Sequence, residues 1–143
     1  MSVAVALNTS RSGFPYPAAS SRDFLSSYEK GISAESCAEK ELKSKGYDIL
    51  GKRVRTRYGE IDILARRDKD LVAVEVKQRR TLNDARCCLS TRQQSRIANA
   101  LMYLASENGD LFENYRVDMV CLDSVGHFEY IENAFSIADF VDC

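Results

Sequence analysis

Apolar positions fall into a few short periodic runs separated by polar punctuation. From Ser33 to Lys45, Ala34, Cys37, Ala38 and Leu42 recur at helical spacing, with Ser33 as a plausible N-cap and Gly46 as the stop. Tyr47 to Arg55 (YDILGKRVR) reads as a strand. The next stretch, GEIDILARRDKDLVAVEVKQRR from Gly59 to Arg80, alternates with period two on both sides of a polar turn. Ile61, Ile63 and Ala65 are placed on one face with Val72, Val74 and Val76, and Glu60, Asp62, Glu75 and Lys77 on the other. Thr81 to Leu89 reads as a loop, and a second helix starts at Ser90 or Thr91 with Ile97, Leu101, Leu104 and Ala105 as its apolar stripe. Arg116 to Leu122 is a fourth strand, and a short fifth runs through Phe128 to Ile131. The order αβββαββ predicts an α/β fold with a central mixed sheet flanked by helices. Residues 1–24 are rich in Ser, Ala, Gly and Pro and are expected to form a flexible arm ahead of a single domain over residues 25–143.

The register of the hairpin follows from its alternation. With the turn centred between Asp68 and Lys69, Asp62 faces Glu75, Glu60 faces Lys77, Ile61 faces Val76 and Ile63 faces Val74. A slip of one residue would set acids against valines. Two carboxylates then lie on neighbouring strands, about 5 Å apart at Cβ, with Lys77 two positions along. Like charges set opposite one another are destabilising, so a divalent cation between them is a natural occupant. Mg²⁺ or Mn²⁺ is expected, held by two acids, with the backbone carbonyl of Val76 as a further oxygen ligand. An E-x-K on a strand is ordinary surface decoration by itself; the facing acids are what point to a site. Glu35 borders the buried stripe of the first helix and could reach the sheet, although an acid in a first turn also suits the helix macrodipole.

Charge changes the picture. The chain has 20 Lys+Arg and 21 Asp+Glu in 143 residues, but residues 40–96 hold 16 basic against 8 acidic, and the remainder 4 against 13. The basic excess surrounds the paired acids. Arg55, Arg57, Arg79 and Arg80, with Gln93 and Arg96 in the second helix, could meet the phosphates of a polyanion such as a nucleic acid, although a solvated surface, and a solvated first helical turn, would carry the same residues. No apolar run approaches a membrane span, and no basic start suggests a signal peptide, so a soluble cytoplasmic protein without membrane contact is expected. Five scattered cysteines form no metal-ligand spacing and fit a reducing compartment, where they would be buried or idle. His127 stands alone near a turn, and Asp118, alternating with Val117 and Met119, reads as a structural acceptor.

At these residues the sequence resembles the YraN-like family, an uncharacterised bacterial group in the restriction-endonuclease-like (PD-(D/E)XK) nuclease superfamily. The matching blocks are Gly31-x-x-Ala34-Glu35, Ala38 to Gly46-Tyr47, Arg55-x-x-x-Gly59-Glu60-Ile61-Asp62, Leu71 to Lys77-x-Arg79, Arg92-Gln93 with Arg96-Ile97, Arg116 to Val120, and Ala134-Phe135. They span about residues 25 to 136; Tyr130 stands where many relatives carry a histidine. The resemblance implies a restriction-endonuclease-like core. It implies that Asp62, Glu75 and Lys77 match the superfamily's catalytic motif, with Asp62 and Glu75 binding the metal and Lys77 positioning the nucleophile or stabilising the transition state, and that Glu35 matches the first-helix acid of its resolvase-like members and could complete the metal's shell. A Mg²⁺- or Mn²⁺-dependent nuclease acting on branched or damaged DNA is the leading expectation. A non-catalytic nucleic-acid-binding module on the same fold is the alternative, and a protein recruiting a partner through its acidic C-terminal surface is a third. The superfamily often dimerises, which leaves a homodimer open.

Overall fold

The structure is a computed structural model that describes residues 27–141; the N-terminal arm expected over 1–24 lies outside the described residues. The first helix, α1 (Ser27–Ser44), is followed by three strands, β1 (Asp48–Arg55), β2 (Glu60–Arg67) and β3 (Asp70–Gln78). A short helix α2 (Leu82–Arg86) and a long one α3 (Thr91–Ser106) lead to β4 (Asn114–Leu122) and β5 (Phe128–Phe135). The five strands form one sheet in the order β1-β2-β3-β4-β5. All neighbours are antiparallel except β3 and β4, which run parallel because α2 and α3 carry the chain back across one face. This is the mixed sheet flanked by helices that the pattern predicts.

Each face of the sheet has its own core. Ala34, Ala38 and Leu42 of α1 pack on Ile63, Ala65, Val72, Val74, Val120 and Leu122. Ile97, Ala100, Leu101 and Leu104 of α3 pack on Val54, Ile61, Leu64, Leu71, Ala73, Val117, Met119 and Cys121. β3 and β4 are buried on both faces, so their sequences read as nearly continuous apolar runs.

Several expectations need correction. The first helix begins at Ser27 rather than Ser33, so Glu35 lies more than two turns in and gains little from the N-terminal dipole. Cys37 is exposed; the stripe that docks is Ala34, Ala38 and Leu42, at i, i+4 and i+8. Gly46 ends the helix as foreseen, at φ +89°, with Tyr47 N–H donating to Leu42 O and Gly46 N–H to Lys43 O. The segment expected as a loop holds α2, capped by Thr81, whose hydroxyl accepts from Asp84 N–H at 3.0 Å. Five residues are too few to show a helical period. The fifth strand continues to Phe135.

The β2–β3 register agrees with the alternation argument from Ile63↔Val74 to Arg67↔Asp70, around a turn in which Asp68 takes φ 55°. It does not continue to Ile61↔Val76. Ile61 turns to the α3 side beside its β1 partner Val54, whereas Ile63 faces α1. At this level of the sheet Arg53, at φ 53°, sits on β1 between the pairs Lys52↔Ile63 and Val54↔Ile61, which keep one register, while the irregularity in the β1–β2 pairing lies between Ile49 and Gly51. Beyond Ile63↔Val74, β2 parts from β3.

Candidate functional site

The place where β2 leaves β3 is the place where the acids meet. The pairing of β3 with β4 runs on to Gln78↔Leu122, so only the β2 side opens, and side chains take over from the backbone ladder. Asp62 Oδ2 accepts from Val76 N–H at 2.8 Å. Asp62 N–H in turn donates to Glu75 Oε2 at 3.5 Å. The two acids therefore span the split, each spending one oxygen on a backbone N–H. Lys77 Nζ lies 3.8 Å from Glu75 Oε1. Glu75 and Lys77 share a strand face, with Met119 and Cys121 as their partners across the parallel ladder.

Burial sets the electrostatics. Glu75 is 5% exposed; desolvation, and then the charge of Asp62, push its carboxyl up to about 8, against the pull of Lys77. Asp62 is raised as well, mainly by desolvation, while its bond from Val76 N–H and the Lys77 ammonium work the other way. One lysine does not neutralise the buried Glu75 and the half-buried Asp62 together. This donor set fits a hard divalent cation: one oxygen of each acid is spent on backbone, leaving Asp62 Oδ1 and Glu75 Oε1, and Mg²⁺ takes few protein oxygens and keeps waters. Among the described residues no three His, Cys, Asp or Glu side chains gather into a cage, so any cation here would rely on water and substrate oxygens. Val76, whose carbonyl the sequence nominated, stands between the two acids.

Glu35 comes in from α1 towards this point. Desolvation and the charge of Asp62 raise its carboxyl, and Arg53, whose Nε lies 3.3 Å from Glu35 Oε1, opposes them. Arg53 was not singled out in the sequence, although its backbone is left-handed on β1 and its guanidinium anchors Glu35. Glu60 does not face Lys77 as the register arithmetic expected; the strands have parted, and Glu60 pairs with Arg55 across β1 at 3.2 Å. Gln78 was also missed. Its buried Oε1 has no hydrogen-bond partner, while its Nε2 donates to Asp123 O at 3.5 Å.

The basic residues surround the site at varying remove. Arg57, Arg79, Arg80 and Arg96 are exposed, and Arg79 Nη1 donates to the neighbouring Gln78 O at 2.9 Å. Gln93 closes a capping box on α3: its Oε1 accepts from Ser90 N–H at 2.9 Å and Ser90 Oγ accepts from Gln93 N–H at 3.1 Å. That gives Gln93 a helix-starting role. His127 Nδ1 sits 2.7 Å from Asp123 Oδ2 within the β4–β5 turn, away from the acids in sequence and in bonding. Asp118 is fully buried and accepts from Arg116, from Tyr130 Oη–H and from Asn133 N–H; Arg116 also donates to Tyr47 Oη. This network ties β4 to β5 and to the start of β1.

Residues 34–122 match the model of the uncharacterised protein family UPF0102. A UPF0102 protein of Granulibacter bethesdensis is 40% identical over 108 residues, covering 75% of this chain and 68% of its own length. Another, from Nitrobacter winogradskyi, is 44% identical over 100 residues, covering 68% of this chain and 84% of its own. Among solved structures, Pyrococcus furiosus SfsA in complex with Ca²⁺ is similar at 19% identity and a TM-score of 0.34, over 72% of this chain and 62% of that one. That likeness is too slight to bear on the site. No helix among the described residues is long and apolar enough to cross a membrane.

Proposed function

From the premise that this chain belongs to the UPF0102 family, the YraN-like family of nuclease-like proteins, we propose that it is a metal-dependent nuclease hydrolysing DNA phosphodiester bonds. The observation that carries the reading is the acid pair of half-buried Asp62 and buried Glu75 bridging the β2–β3 split, with Lys77 3.8 Å from Glu75. Mg²⁺ or Mn²⁺ bound there would supply Lewis-acid polarisation of the phosphate and an activated water.

The side chains divide the remaining work. Asp62 and Glu75 would hold the cation, and the Val76 N–H fixes the Asp62 carboxylate in one orientation. The Lys77 ammonium, largely shielded from water, stabilises charge developing on the phosphate or positions the nucleophile. Glu35, steadied by Arg53, orders water at the rim. Arg55, Arg57, Arg79, Arg80 and Arg96 meet phosphates without reading sequence. Branched or damaged DNA is the substrate class of choice, and the cytoplasm is the setting.

One observation favours the non-catalytic module instead: both acids already bond to backbone N–H groups, as a purely structural closure would. A single comparison separates the two readings. Duplex, flap and four-way-junction DNA are incubated with Mn²⁺ or EDTA and either wild type or Asp62→Ala. Cutting that needs Mn²⁺ and vanishes in Asp62→Ala is the expected result. No cutting by either protein, with salt-sensitive binding that survives the substitution, would establish the module.

A further inference from the structure

Among the described residues, three large hydrophobic side chains are exposed: Tyr58, Val125 and Phe128. Tyr58 differs from the others in its company. It sits at the tip of the β1–β2 hairpin, in a turn that Thr56 locks from both sides. Thr56 Oγ1 accepts from Tyr58 N–H at 3.0 Å and from Gly59 N–H at 3.2 Å, and Thr56 N–H donates to Gly59 O at 2.9 Å. The turn lies on α3: a Cβ added to Gly59 would meet Arg96 Cβ at 3.4 Å. The Tyr58 ring stands 6.0 Å from that of Tyr103 on α3, and the Arg57 guanidinium lies 5.3 Å from the Tyr58 ring and 6.0 Å from the Tyr103 ring.

A held aromatic ring with an arginine against it, open to solvent at 39% exposure, is the arrangement on which an unpaired base stacks. Each base has a π-face, so such platforms tolerate sequence, and neighbouring arginines take the phosphates. Exposed Arg57, Arg92 and Arg96 supply that charge here. Placement fits as well. Tyr58 precedes Asp62 by four residues, at most ~13 Å along an extended strand, and the platform lies on α3, the helix that covers the Glu75 and Lys77 face of β3.

We propose that Tyr58, backed by Tyr103 and Arg57, is a stacking platform for an unpaired nucleobase, and that the preferred ligand is single-stranded or flapped nucleic acid. The proposal rests on the nucleic-acid reading above but does not require cleavage. Base–aromatic stacking of ordinary strength corresponds to about ten-fold in affinity or more.

Fluorescence anisotropy in EDTA, with a labelled single-stranded DNA oligonucleotide and a duplex of the same length, tests it. Tyr58→Ala and Tyr58→Leu are expected to weaken single-strand binding about ten-fold with little change for the duplex, and Tyr58→Phe to bind like wild type. The leucine keeps apolar packing against Tyr103 without a π-face, and its melting temperature reports whether the hairpin still folds. An unchanged single-strand affinity, or an equal loss on duplex and single strand, overturns the platform while leaving the nuclease reading intact. Wild type that binds neither DNA at low salt overturns both.

Discussion

Replacing Glu75 by glutamine should make the metal-free protein more stable at alkaline pH. The carboxyl is 5% exposed and its ordinary value of 4.5 is raised to about 8. In the folded state it keeps a proton that the unfolded chain releases between those two values, so stability falls as pH rises through the window. At 1.36 kcal/mol per pH unit the full cost above pH 8 is about 5 kcal/mol; relaxation and water entering the cleft reduce it to ~2 kcal/mol. The substituted amide would keep an oxygen for Asp62 N–H and shed the charge. In a domain of this size that is a gain of about 6 °C in melting temperature. The assay is thermal denaturation in EDTA near pH 5 and near pH 9. Glu75→Gln should match wild type at the lower pH and exceed it at the higher, and Mg²⁺ should narrow the gap by stabilising wild type alone. A variant no more stable than wild type near pH 9, or equally stabilised near pH 5, would refute the claim that burial beside Asp62 holds the proton on Glu75.

Three further outcomes follow from the structure. Lys77→Met should lower the rate of DNA cleavage by about 10²-fold or more in single-turnover assays, while leaving DNA affinity in EDTA within about two-fold, since one shielded ammonium adds little to a basic surface. Asp118→Ala should cost about 3 kcal/mol or more in denaturant unfolding, because it removes the buried acceptor shared by Arg116, Tyr130 Oη–H and Asn133 N–H and leaves Arg116 only its Tyr47, Glu132 and Asp70 partners. Tyr130→Phe, which removes one donor to Asp118, should cost about 1 kcal/mol.

Much of this was legible in the chain. The register from Ile63↔Val74 to Arg67↔Asp70 was legible because the polar Asp68–Lys69 turn fixes it, while the rungs from Ile63↔Val74 to Ala65↔Val72 are themselves buried on both faces. The alternation failed at Ile61 and Glu60, since the pattern carries no sign that the β2–β3 pairing stops at Ile63↔Val74. The acids could still be identified, because their types and spacing survive the splay. Their real relation, side chain to backbone instead of rung to rung, could not. Gln93 read as a ligand contact because its partner Ser90 was treated only as a helix start; S-x-x-Q was the readable sign of a capping box. The α2 helix was concealed by its length, with T-x-x-D its one cue.

The bond from Val76 N–H to Asp62 Oδ2 places one amide proton of β3 under the control of a carboxylate. Its neighbours in the strand exchange with solvent only when the sheet opens. This one should also respond whenever Asp62 takes up a proton, gains a cation or swings towards a phosphate. The chemical shift and exchange rate of a single backbone amide would then report the occupancy of the whole site, in solution and without any label on the ligand.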